Sequence, residues 1–278
     1  MAFESATISS DPFARRFAER AAQRRAALVV YITAGHPDRA RSLELIQGIA
    51  EAGADVVEIG VPFSDPLADG PVIQASSQRA LDGGMTFDRS LELISSARLT
   101  VPVVLFTYLN PLLSAGPDAL DRAARAGAQG VLVTDLPLGA DPDLEERIAT
   151  GPLAFVRLVA PTTPMTRMAA IARHGSGFVY LISRLGVTGV RQDIASDLPA
   201  TVARLRAATS LPICVGFGIS TPAQAASVGL LADGVVVGSA VVRAAEGSVE
   251  DAVNLVAQLS AALKAARRDA PSHGRAES

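Results

Sequence analysis

The chain has 278 residues and a mass of 28.7 kDa, with 49% hydrophobic and 19% charged residues. That composition excludes a disordered chain and allows either two ordinary domains or one large α/β barrel. The 25 basic and 28 acidic side chains leave a net charge of −3 with no basic block in the body, which argues against nucleic acid or anionic membrane as a partner.

Residues 1–10 read as a flexible N-terminus, without the charged start and apolar centre of a signal peptide. Asp11 to Arg25 carries Arg15, Arg16, Arg20, Arg24 and Arg25 and reads as an extra N-terminal helix, amphipathic and on the surface. Eight β-branched runs then follow: Leu28–Thr33, Asp55–Gly60, Val103–Tyr108, Gly130–Asp135, Leu153–Val159, Phe178–Ser183, Pro212–Gly216 and Gly234–Gly238. They are nearly continuous in apolar residues, as strands buried on both faces should be. Helical spacing fills the gaps. Between Asp38 and Ala52, for example, Leu43, Ile46, Ile49 and Ala50 share a face and Asp38 stands as the N-cap. Small or Gly-bearing turns such as Ala52-Gly53-Ala54 and Ala126-Gly127-Ala128 precede several runs. Eight such units predict a single-domain (β/α)8 TIM barrel over 11–266, since an open doubly wound sheet needs no eighth unit. Residues 267–278 read as a flexible tail. The lone Cys214, mid-strand, reads as a core residue and cannot form an internal disulfide, and the scattered His36, His174 and His273 make no zinc site with it. No stretch approaches the roughly 18 apolar residues of a membrane helix. A reduced, cytoplasmic protein with no metal is the expectation.

In a barrel, function belongs to the loops after the C-terminal ends of the strands. The loop after the second run, Val61 to Pro71, is rich in Pro and Gly and holds Asp65 and Asp69. Glu58 sits in an otherwise apolar strand just before it. A carboxyl there is either a structural group paired with an arginine or a desolvated acid able to move protons near neutral pH. Asp65 and Asp69 are either turn formers or its partners in dividing acid and electrostatic roles. The last three loops, from Ser183 to Gly189, from Gly216 to Ser220 and from Gly238 to Ala240, are rich in glycine. Tight turning accounts for part of this; an anion cradle of backbone N–H groups accounts for the rest. Tyr31, Phe106, Tyr108, Tyr180 and Phe217 fall near strand ends, as core filler or as the lining of a pocket for a flat ring. His36 reads as a loop residue.

The stretch Glu58-Ile59-Gly60-Val61-Pro62-Phe63-Ser64-Asp65-Pro66-Leu67-Ala68-Asp69-Gly70-Pro71 resembles the signature of the tryptophan synthase α subunit family. The likeness continues through Ser183–Gly189, Gly216–Ser220 and Gly238–Ala240, in the family's order, from about Phe13 to about Ala265. It implies retro-aldol cleavage of indole-3-glycerol phosphate to indole and glyceraldehyde 3-phosphate. By resemblance, Glu58 matches the general acid/base and Asp69 the carboxylate that bonds the indole N–H. Tyr180 matches an active-site tyrosine, and Thr188 a mobile-loop threonine that closes over Asp69. Tyr31, Phe106, Leu132 and Phe217 match indole-pocket positions, and Gly189, Gly218, Gly238 and Ser239 the phosphate cradle. Asp65, Asn110 and Pro137 match loops facing a β subunit. That implies an α2β2 heterotetramer with pyridoxal phosphate (PLP) only in the β partner and no cofactor in this chain. His36 stands where many relatives carry an acidic residue, and Tyr31 replaces a frequent phenylalanine. A stand-alone lyase that releases indole, and a non-catalytic regulatory relative, remain as other readings. The second is opposed by the intact Glu58, Asp69 and Thr188. A Schiff-base aldolase would need a strand-end lysine, whereas the only one is Lys264.

Overall fold

A computed structural model describes residues 11–182, 197–216 and 218–266. The flexible ends expected at 1–10 and 267–278 lie outside them. Among the described residues nine strands form one parallel sheet: β1 Ala27–Thr33, β2 Val56–Gly60, β3 Val103–Thr107, β4 Gly130–Val133, β5 Ala154–Phe155, β6 Arg157–Val159, β7 Val179–Ile182, β8 Ile213–Gly216 and β9 Gly234–Val237. The order is β5-β4-β3-β2-β1-β9-β8-β7-β6, so the two ends of the sheet are consecutive pieces of one stretch of chain.

The fifth apolar run is thus one barrel stave in two segments. Below the break Ala154 and Phe155 pair with Gly130 and Val131; above it Arg157 to Val159 pair with Val179 to Leu181. Closing a barrel requires the strand registers to stagger, which displaces the two ladders along this stave and leaves Val156 between them. Eight staves therefore close the barrel, each within two residues of its predicted bounds at either end.

The elements form where local chemistry favours them. The carboxylate of Asp38 accepts a hydrogen bond from the Arg41 N–H at 2.9 Å and caps the helix Arg39–Glu51 as expected. Its fully buried face is Ser42, Leu45, Ile46 and Ile49, with Leu43 and Ala50 at the flanks. The i, i+3, i+4, i+7 series starts one residue earlier than read, with a serine in the core whose hydroxyl accepts from Gly35 N–H at 3.0 Å.

The N-terminal helix, Pro12–Ala22, is more than a surface element. Phe13 and Phe17 are buried and meet the Phe178 ring at 5.9 and 5.7 Å. Phe13 lies against Gly130 and Gly177, at strand starts, so this helix plugs the base of the barrel. The arginine-rich face hid two apolar residues at i, i+4 that have nothing else to cover. Arg25, just after it, is buried and grips Asp55 through two hydrogen bonds of 2.7 and 3.1 Å, while Leu28 N–H donates to the same carboxylate at 2.9 Å. An ion pair taken out of water needs such extra bonds to offset its desolvation.

Inside the barrel, Val29, Val56, Val104, Leu132, Val156, Phe178, Tyr180 and Cys214 form one buried cluster. A second, larger layer packs the outer faces of the strands against the helices. The barrel is a filled core, and its chemistry is confined to the C-terminal end.

Candidate active site

Glu58 lies on β2, paired in register with Tyr31 of β1 and Val104 of β3. It is completely buried, and neither carboxyl oxygen has a hydrogen-bond partner among the described residues. Burial alone pushes its pKa up to about 8. Asp55, three residues earlier, shows what a structural carboxylate looks like here, and Glu58 shares none of its bonds. A buried acid without a partner is costly and is held neutral near pH 7, ready to donate a proton.

Asp69 comes from the loop between β2 and the helix Pro71–Asp82. That loop is pinned by the Gln74 side chain, which donates to Asp69 O at 2.9 Å. Asp69's carboxylate accepts a hydrogen bond of 2.9 Å from the Tyr108 hydroxyl, which itself accepts from Ala68 N–H at 3.0 Å. Burial raises the Asp69 pKa to about 6, against the opposing effect of that hydroxyl. The two acids are thus poised apart, one ionised and one protonated at neutral pH, which is how a carboxyl pair divides its roles. Removing the tyrosine hydroxyl should weaken the ionised form. In Tyr108→Phe the acidic limb of kcat/KM is expected to move to higher pH, with activity near neutrality down by about tenfold, as for loss of one hydrogen bond to a charged group. An unmoved limb in the pH profile would show that Tyr108 does not tune Asp69.

Both acids line a cavity of about 260 Å³ at the C-terminal end of the strands, together with Tyr31, Ile73, Phe106 and Tyr180. Tyr31 meets Phe106 edge-on at 5.0 Å between ring centres. Its hydroxyl lies over Gly60 and its Cβ side beside Gly238, so that a side chain at either glycine would displace it. Tyr180 likewise occupies the space over Gly216. Burial first, and then the carboxylates, raise the pKa of Tyr31 and of Tyr180, so both hydroxyls stay protonated. A hydroxyl chain runs from Tyr31 to Thr33 at 3.4 Å and on to Ser76 at 2.6 Å, tying β1 to the helix that follows Asp69.

The remaining wall is made by Gly218, Ile219 and Ser220 after β8, and by Gly238, Ser239, Ala240 and Arg243 after β9. Gly218 has φ +80°, a conformation that favours glycine. Ser239 opens the helix Ser239–Gly247, with Gly238 as its N-cap and no capping side chain, so the first-turn N–H groups face a ligand site.

The structure therefore gathers Glu58, Asp69, Tyr31, Phe106, Tyr180, Gly218, Gly238 and Ser239 around one cavity. Leu132 sits in the buried barrel cluster and does not line it. His36 is buried behind the end of β1, also off the cavity. Asp65 and Pro137 are exposed on loops that follow strand ends, whereas Asn110, expected in a loop, is exposed in the first turn of the short helix Leu109–Ser114 that follows β3. Thr188, Gly189 and Phe217 lie outside the described residues. Tyr108, read only as a strand-end aromatic, is the residue whose role sequence reasoning missed; its partner is 39 positions away. Among the described residues no group of His, Cys, Asp and Glu could hold a metal ion, and no helix is long and apolar enough to cross a membrane.

Fold and cavity together define a (β/α)8 barrel enzyme whose cavity, at the C-terminal end of the strands, holds two carboxyl groups. Residues 17–270 match the family model described as tryptophan synthase alpha chain. The tryptophan synthase alpha chain of Caulobacter sp. (strain K31) is 44% identical over 87% of this chain and 90% of its own length. That of Desulfatibacillum aliphaticivorans is 47% identical over 87% and 93%. Among solved structures, Mycobacterium tuberculosis tryptophan synthase superposes with a TM-score of 0.85 at 34% identity, covering 92% of this chain and 99% of that one. Tryptophan synthase subunit alpha from Legionella pneumophila str. Paris gives 0.83 at 33% identity, covering 92% and 100%. The chain belongs to the tryptophan synthase alpha chain family, and is a lyase that cleaves indole-3-glycerol phosphate.

Proposed function

We propose that Glu58 and Asp69 carry this cleavage, with the indole ring between the aromatic walls and the phosphate at the Gly218–Ser239 end. The observation that carries the reading is a wholly buried, unpartnered Glu58 at the floor of a cavity that also holds an ionised Asp69. Protonated Glu58 delivers its proton to indole C3. The positive charge then spreads to the ring nitrogen, whose N–H donates to the Asp69 carboxylate, and the fixed anion stabilises it. The Glu58 carboxylate next takes the proton of the glycerol hydroxyl beside the ring. The C–C bond breaks, its electrons neutralise the iminium, and indole and glyceraldehyde 3-phosphate leave with Glu58 protonated again.

The same reading extends to a partner. The loop Val61 to Pro71 carries Asp69 inside the cavity and Asp65 outside it, with Leu67 92% exposed and Leu113, in the short helix Leu109–Ser114 after β3, 54% exposed. Apolar side chains held out in water beside the site fit a docking face. We read it as the face for a β subunit in an α2β2 enzyme, working in the cytoplasm, with PLP chemistry confined to the partner. Docking can then bias one loop toward the catalytic geometry, by as much as the partner's differential affinity for it. Expected is a slow chain alone, strong acceleration by an added β subunit, and a smaller acceleration in Asp65→Ala at an unchanged basal rate. Steady-state indole release against β concentration checks this. Full speed alone, indifferent to the β subunit, would favour a stand-alone lyase.

A further inference from the structure

We propose that Arg243 sets the specificity of the cavity for a phosphorylated substrate, by placing a guanidinium on the phosphate that the neighbouring backbone N–H groups hold. This rests on the reading of the Gly218–Ser239 end as a phosphate cradle.

Among the described residues that line the cavity Arg243 is the one cation, beside two carboxyls, in a chain of net charge −3. A phosphate dianion that enters this space meets like charge from Asp69. Backbone N–H groups contribute partial charges only, whereas a guanidinium supplies a full opposing charge at every working pH. The position is suited to it. Arg243 stands four residues after Ser239 on the same helix, and i, i+4 side chains share a face. Cα–Cβ bonds tilt toward the helix N-terminus, so a long side chain here leans back over the first turn, where the free N–H groups are. Val241, Val242 and Ala245 bury the opposite side of the helix, and Arg243 itself is exposed at the cavity mouth.

Among the described residues its guanidinium is also uncommitted. Buried arginines of this chain spend their charge on carboxylates, Arg25 on Asp55 at 2.7 Å and Arg157 on Glu145 at 2.5 Å. Arg243 has no ion pair among the described residues. Guanidinium and phosphate match as a planar fork against two oxygens, which an ammonium does not reproduce.

The test measures equilibrium binding of indole-3-propanol phosphate and of indole-3-propanol to the full chain and to Arg243→Gln, Arg243→Lys and Gly238→Val. The Gln variant should bind the phosphate ester about 10-fold or more weakly, as for one lost charge-assisted hydrogen bond, and the alcohol as before. The Lys variant should fall between. Turnover should show KM raised with kcat kept, and the salt dependence of ester binding should flatten in the Gln variant. Unchanged ester affinity in Arg243→Gln, with the ester's advantage over the alcohol reduced in Gly238→Val, would overturn the role of Arg243 and leave the cradle standing. Equal binding of ester and alcohol by the native chain would overturn the cradle itself.

Discussion

Glu58→Gln is expected to lower kcat by about 10² to 10⁴, the usual contribution of a positioned acid or base, while the chain still folds and binds the substrate. The amide keeps the shape of the side chain but has no proton of suitable acidity for indole C3. Nothing among the described residues hydrogen-bonds the carboxyl, so no network there collapses on substitution. The same burial makes a second, independent readout. In the folded chain the acid titrates near 8, against 4.5 for the ordinary group. Between those values the folded state holds a proton that the unfolded state has released. Stability from this group is therefore full below about pH 4.5 and is lost as pH rises toward 8, at up to about 1.4 kcal/mol per pH unit. Glu58→Gln should remove that slope, so the variant gains on the native chain as pH rises through this window. Denaturant unfolding at pH 5 and pH 8 measures it. A Gln variant with native turnover, or the same slope as the native chain, would show that Glu58 is neither the acid nor buried as described.

For Asp69→Asn the expected loss in kcat is about 10² to 10³, the range for removing one preorganised electrostatic partner of a developing charge. Asparagine can still accept the indole N–H, so KM should move much less than kcat. It cannot stabilise the cation. Asp69 must be ionised and Glu58 protonated at the start of the reaction. Hence kcat/KM of the native enzyme should rise through about pH 6 and fall through about pH 8, following the two carboxyls. The acidic limb should vanish in Asp69→Asn and the alkaline limb in Glu58→Gln. A native profile flat from pH 5 to 9, or an acidic limb that survives in Asp69→Asn, would refute the division of roles.

How much of this could be read from the chain alone follows from the range of the forces involved. The eight staves were legible because strands buried on both faces must be continuously apolar, and the cap at Asp38 because a cap is a bond between residues three apart. Glu58 was conspicuous as a carboxyl in an apolar strand, and the signature around Asp69 named its family, which the matched family model bears out. What sequence could not decide was which acid is satisfied. Asp55 and Glu58 lie three positions apart in one strand run, and only the fold gives Arg25 to the first and leaves the second bare. Nor could spacing show that Tyr108 reaches Asp69, because that bond joins the residue after β3 to the loop that follows β2. The plug formed by Phe13 and Phe17 and the split stave at Val156 were hidden for a related reason. Each exists only once the barrel closes and brings together residues from opposite ends of the chain's path, since Phe13 meets Phe178 and the register must stagger to join β4 to β7. Local patterns, set by neighbours a few residues apart, determine the elements and the candidate acids; closure of the barrel decides which acid is partnered and which is buried bare, and it is burial that raises the pKa of Glu58 and of Asp69.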